Sequence, residues 1–197
     1  MKKLLLLFVL SLVCCNHTQP VDVTKDYTSI HNEALTFCKE NQMNQDFYFF
    51  IDMSIHSGKN RFFVYDFKTK KVSHQNIVTH GTCDVFEANS EKYKKAKFSN
   101  KQDSHCSMKG KFKIGKRDYS SWGINVKYWM HGLESSNSNA VKRVVVLHSW
   151  PAVANEEIYP RYSPLSWGCP AVSDEFMQLL DENLKAVEQP VLMWIVE

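Results

Sequence analysis

The run Ser166-Trp167-Gly168-Cys169-Pro170-Ala171-Val172 sets one cysteine beside a glycine, and His148 closes an apolar stretch upstream of it. A thiol is a strong nucleophile only as thiolate, so it needs an imidazole within hydrogen-bond reach or a helix N-terminus that favours the anion. Both are on offer: His148 supplies the imidazole, and Ser173 opens a predicted helix just after Cys169. Gly168 permits a tight turn beside the sulfur, and backbone N–H groups near Gly168 and Cys169 suit the oxyanion formed when a thiolate attacks a carbonyl. Ser166 is placed to bond the local backbone, and Ser149 or a nearby carbonyl to orient the imidazole. No CxxC pair and no His/Cys spacing of a structural zinc site occurs, so His80, His131, His148 and Cys169 do not read as metal ligands. The same lack of a resolving partner for Cys169 argues against a disulfide oxidoreductase.

These groups need a scaffold to hold them. A helix is predicted from Tyr27, with Ile30, Ala34, Leu35 and Cys38 on one face. Strands follow at Phe47–Ile55 and Phe62–Phe67, joined by a Ser57-Gly58-Lys59-Asn60 turn, and then at Lys71–Val78, ending in Thr79-His80-Gly81. Thr82–Met108 is polar without period and reads as a long loop. Short strands are predicted around Lys111–Ile114 and Gly123–Trp129, and a buried one at Val144–Leu147 that delivers His148 at its end. Ser173 caps a helix whose stripe is Phe176, Leu179, Leu180, Leu184 and Val187, and Val191–Val196 forms a final strand. The tryptophans default to the core, with Trp150 and Trp167 flanking the proposed pair. The expected fold class is mostly β with peripheral helices (α+β).

The chain has 197 residues and 44% apolar content, which suits one globular domain after an export segment. Lys2 and Lys3 precede an apolar run from Leu4 to Val13, too short to span a bilayer stably. We divide the chain into an export segment (1–15), a tether (16–26) and a catalytic domain (27–197). Leu12 and Val13 are spaced as in a lipoprotein cleavage box with Cys15 as acceptor, while Cys14 departs from its usual Gly, Ala or Ser; simple cleavage, or retention of the segment as an anchor, is the alternative. The formal charge of +3 carries no general drive toward nucleic acid, and the Lys-rich stretch Lys92–Lys101 reads as a solvated loop. Of six cysteines, Cys38, Cys83, Cys106 and Cys169 lie beyond the export segment. A Cys83–Cys106 bridge would staple the Lys-rich loop, although spacing alone does not establish connectivity.

His148 and the Ser166-x-Gly168-Cys169 box resemble the catalytic signature of the bacterial murein L,D-transpeptidases, the YkuD-type domain. The resemblance runs from about Phe47 to Val196. Thr79-His80-Gly81, Phe98-Ser99-Asn100, the Gly110–Gly115 hairpin, Gly132-Leu133-Glu134 and Cys169-Pro170-Ala171-Val172 are similar to one subgroup. The resemblance implies a β-sandwich-like fold and acyl transfer on peptidoglycan stem peptides. Cys169 would be nucleophile and His148 base, with release of D-alanine and formation of 3-3 cross-links. Water as acceptor would make the same pair an L,D-carboxypeptidase, and loss of reactivity would leave a peptidoglycan-binding protein. It implies no metal or organic cofactor, an exported periplasmic location, and membrane contact only through the N-terminal signal or lipid anchor. Trp167, Ala171 and Ser149 stand where the broad family often has histidine, arginine and glycine. With that arginine absent, Arg161 is the candidate for the substrate carboxylate, and His80, Ser99, Asn100 and Trp167 are candidate substrate contacts.

Overall fold

The computed structural model describes residues 25–197, so the export segment, Cys15 and the tether up to residue 24 lie outside the described residues. The last tether residues are already docked. Lys25 Nζ pairs with Asp52 at 3.0 Å, and Asp26 accepts the Thr28 N–H at 2.9 Å.

The elements run α1 (Thr28–Glu40), β1 (Phe47–Asp52), β2 (Phe62–Asp66), β3 (Lys71–Asn76), β4 (Gly110–Tyr119), β5 (Val126–Gly132), β6 (Val146–Ser149), β7 (Ala171–Val172), α2 (Asp174–Lys185) and β8 (Leu192–Val196). The strands form one eight-stranded sheet in the order β3-β2-β1-β8-β4-β5-β6-β7. β1 with β8 and β6 with β7 are parallel, and the remaining neighbours are antiparallel. The mostly β class with two helices is therefore as expected.

Alternation along each strand decides what is buried where. Phe49, Ile51, Met193 and Ile195 face a core shared with Phe112, Met130, Leu147, Val172 and the α2 residues Phe176, Met177 and Leu180. Their neighbours Tyr48, Phe50 and Leu192 face the other way, onto Ala34 and Cys38 of α1. β1 is covered on both faces, which is why it reads as a continuous aromatic and apolar run. α2 starts as expected, the Ser173 hydroxyl accepting the Phe176 N–H at 3.1 Å, with Asp174 and Glu175 in its first turn.

Several boundaries differ from expectation. β4 continues to Tyr119 because a register shift between Ile114 and Arg117 lets the charged stretch stay paired with β5. β5 begins at Val126, since Gly123 sits at φ +54 in the preceding turn. Val144 is not a buried strand residue: it is 53% exposed at φ 56, so the strand begins at Val146 and His148 lies inside it rather than after it. Two-residue β7 carries too short a pattern to read. The long loop is present and stapled, with Cys83 disulfide-bonded to Cys106. None of the five tryptophans is fully buried, and Trp122 and Trp167 are exposed.

Candidate active site

Cys169 sits in a turn that several side chains shape. Gly168 adopts φ +108, and a Cβ there would meet the Cys106 carbonyl oxygen at 2.5 Å, so both conformation and space require glycine. The Ser166 hydroxyl accepts the Gly168 N–H at 3.1 Å and donates to the Cys169 carbonyl at 2.7 Å, closing the turn on both sides. Thr79 grips it from β3's exit: its hydroxyl donates to the same carbonyl at 3.1 Å and accepts the Ala171 N–H at 3.0 Å. Because the Gly168 N–H is already engaged, it is not free to meet an oxyanion. The Cys169 N–H has no hydrogen-bond partner among the described residues.

The partly exposed Cys169 lies against the start of β6. Its Sγ accepts the Val146 N–H at 3.4 Å and donates to the Val144 carbonyl at 3.6 Å. The left-handed backbone of Val144 is costly for a β-branched residue, and its carbonyl is one of the two groups touching the sulfur. Burial pushes the Cys169 thiol above its ordinary value, opposed by the Val146 N–H and by the charges of Arg143 and Lys127. Burial pulls His148 below its ordinary value, against the bond to Ser149. Both shifts favour the neutral thiol and neutral imidazole over the thiolate–imidazolium pair.

β6 aims His148 into the same groove. Its Nδ1 lies 2.9 Å from the Ser149 carbonyl, a contact that requires Nδ1 to carry the proton and leaves Nε2 as acceptor. The orienting group is therefore the Ser149 backbone, while the Ser149 hydroxyl accepts the Ile124 N–H at 3.0 Å. No direct hydrogen bond joins His148 to Cys169 here, as is common in sites without substrate. Both line a groove of about 410 Å³ walled by Trp122, Trp150, Leu165, Ser166, Trp167 and Ala171. Trp167 is 73% exposed and lies flat on His105, with ring centroids 4.7 Å apart.

Other candidate contacts lie elsewhere. His80 is buried: Nδ1 meets Arg61 at 2.9 Å and Nε2 meets the Lys92 carbonyl at 2.6 Å, so it ties the long loop to the core rather than touching substrate. The Ser99 carbonyl accepts from Arg143 Nη1, and Asn100 locks onto Ser135, Ser138 and Asn139; neither lines the groove. Arg161 packs its backbone against Gly58 and also does not line it. Sequence reasoning missed Arg143, whose Nη2 donates to the Cys106 carbonyl at 2.7 Å beside Gly168. It also missed Thr79 as a positioning group, although the Thr79-His80-Gly81 motif was itself a signal.

No curated protein matches the chain in sequence. Similar solved structures include Bd1075 of Bdellovibrio bacteriovorus, at 13% identity and TM-score 0.45, with 78% of this chain and 49% of that one covered. An L,D-transpeptidase from Mycobacterium smegmatis is similar at 13% identity and TM-score 0.44, with 77% and 59% covered. Another from Xylanimonas cellulosilytica is similar at 10% identity and TM-score 0.42, with 81% and 68% covered. The chain thus spans about half the length of the first of these structures. The model of the L,D-transpeptidase catalytic domain (YkuD_2) matches residues 22–194, most of the chain, and this protein belongs to that family.

Proposed function

We propose that this chain is an exported murein L,D-transpeptidase that works by cysteine acyl transfer. The observation that carries the reading is the placement of Cys169 and His148 in one groove, with the imidazole's Nδ1 held by the Ser149 carbonyl. His148 Nε2 takes the thiol proton as Sγ attacks the carbonyl of the L-centre preceding the terminal D-alanine. The Cys169 N–H faces the developing oxyanion. The imidazolium then gives its proton to the departing D-alanine amine, leaving a thioester on Cys169. A neighbouring stem's side-chain amine attacks that thioester, His148 accepts its proton and passes it to the departing Cys169 sulfur, and the thiol and neutral imidazole are restored with a 3-3 cross-link formed.

In this reading Ser166, Gly168 and Thr79 hold the nucleophile's turn, and Trp167 walls the donor site. The SxGCPAV box marks a subgroup in which Ala171 replaces a charged residue. Residues 1–15 export the chain, 16–26 tether it with Cys15 as the lipid acceptor, and 27–197 act on periplasmic peptidoglycan.

The test is mass spectrometry of tetrapeptide muropeptides incubated with residues 16–197, with Cys169→Ala as control. A Cys169-dependent dimer lighter by one alanine than two amide-joined tetrapeptides supports transpeptidation. Tripeptide alone moves the reading to an L,D-carboxypeptidase, and an unchanged substrate with folded protein moves it to a binding role.

A further inference from the structure

The sheet register places a cation beside the catalytic pair. Lys127 of β5 is the Cα partner of His148 in β6, and His148 is in turn the partner of Ala171 in β7. Directly opposite residues project from the same face, so Lys127, His148 and Ala171 form one row across three strands. The adjacent row contains Trp129 and Val146, and the Val146 N–H holds the Cys169 sulfur. Strands lie about 4.8 Å apart, so two spacings separate Lys127 from β7, and a flexible four-carbon stem spans much of that gap.

Lys127 Nζ lies 5.2 Å from the Trp129 ring centre and makes no hydrogen bond or ion pair among the described residues. Asp118, opposite it on β4, accepts from the Tyr119 N–H at 2.8 Å and Trp129 Nε1 at 3.1 Å and feels the Lys127 charge without forming an ion pair with it. The Lys127 charge is felt at both His148 and Cys169. The other nearby cation, Arg143, has its guanidinium engaged by the Ser99 and Cys106 carbonyls.

We propose that Lys127 receives a carboxylate of the acyl donor and so seats the scissile carbonyl over Cys169. The proposal rests on the acyl-transfer reading above. A donor ending in a free carboxylate carries that charge one residue beyond the carbonyl under attack, a reach of about 3.5 Å of chain. Lys127 is not itself a wall of the groove; it borders it from the β5 side of His148, and its stem must swing from the Trp129 ring to meet the carboxylate, which neither Ala171 nor Arg161 is placed to receive.

The test compares wild type, Lys127→Met and Lys127→Arg, each checked for an unchanged denaturation midpoint. The first readout is the rate ratio of Cys169 alkylation by anionic iodoacetate over neutral iodoacetamide, which requires no peptidoglycan. Lys127→Met should lower that ratio about tenfold and Lys127→Arg should retain it. The second is turnover of tetrapeptide: Lys127→Met should raise KM about tenfold with kcat little changed. Peptides amidated at the D-alanine carboxylate or at a side-chain carboxylate of the preceding L-centre identify the source, since the effect of the substitution disappears in the peptide whose contact is capped. An alkylation ratio untouched by Lys127→Met, or a KM effect equal in both amidated peptides, overturns the proposal. A ratio that responds while wild type turns over no peptide leaves the anion site standing and overturns the stem-peptide reading instead.

Discussion

The two ends of the sheet treat their outer faces differently. At β1 and β8 the outer face carries Tyr48, Phe50 and Leu192 and is sealed by α1, with Tyr27 edge-on to Phe50 at 4.8 Å and His31 stacked on Tyr65 at 3.6 Å. At β5 and β6 no helix among the described residues covers it, and that face carries Lys127, Trp129 and His148 between the inward Tyr128, Met130 and Leu147. The inner face is core at both ends. Burying aromatic surface on two sides stabilises the first end, while leaving one side open at the second gives substrate access to a fixed thiol and imidazole. On the proposed function, stability and chemistry are carried by separate parts of one sheet, and substitutions should separate them.

The largest effect belongs to the open end. Cys169→Ala should lower D-alanine release by more than about 10³-fold while the denaturation midpoint stays within a narrow range, because the change removes a single sulfur atom at the edge of the groove. A variant that turns over at the wild-type rate would contradict the separation and the mechanism together. Gly168→Ala should couple the two properties: the strained φ and the contact with the Cys106 carbonyl predict a loss of about 1–3 kcal/mol in urea unfolding, along with slower alkylation of Cys169.

Phe50→Ala at the covered end should cost about 3–5 kcal/mol by the same unfolding assay, since the ring is fully buried against α1. Turnover per folded molecule should be unchanged. An altered KM would show that the two ends communicate.

The pH responses sharpen the contrast. Burial holds His31 at about 4 at the covered end, with its Nδ1 2.7 Å from the Tyr48 hydroxyl, and holds His80 at about 4 beneath the long loop. The unfolded chain protonates both near 6.5, so between about 6.5 and 4 it binds more protons than the native state. Stability is fully present above that window and is lost as pH falls through it; urea midpoints measured from pH 7 to 4 should decline, less steeply for His31→Gln. At the open end the lowered His148 and raised Cys169 predict a broad kcat/KM profile, with its acid limb below the usual imidazole range and its alkaline limb above the usual thiol range. A narrow bell centred between the unperturbed values would argue against a neutral pair. The smallest effect is Ser173→Ala, which removes the α2 cap and should cost about 1 kcal/mol without touching the groove.

Sequence legibility follows the same division. α1, α2, β1, β2, β3 and β8 were readable because period and caps lie within a few residues of one another. β4 was read too short because Lys113, Lys116 and Arg117 mask a strand that a bulge keeps in register. Three valines in a row look buried from the sequence, although the first, Val144, adopts a left-handed turn and presents its carbonyl to Cys169. In the candidate site, Cys169, His148, Gly168 and Ser166 were visible from residue type and spacing. His80 was visible too but misplaced, since nothing local shows that Arg61 waits beneath it.

The sequence by itself therefore determined which residues could act as nucleophile and base, the α+β class, and where the turn around Cys169 needs a residue without a side chain. Tertiary structure alone decided the Cys83–Cys106 pairing, the Thr79 and Arg143 holds on the catalytic turn, and the row that sets Lys127 beside His148. The reason is range. Period, capping and turn chemistry act between neighbours along the chain, whereas register and loop closure join residues far apart in sequence, and only the folded sheet specifies which of those meet.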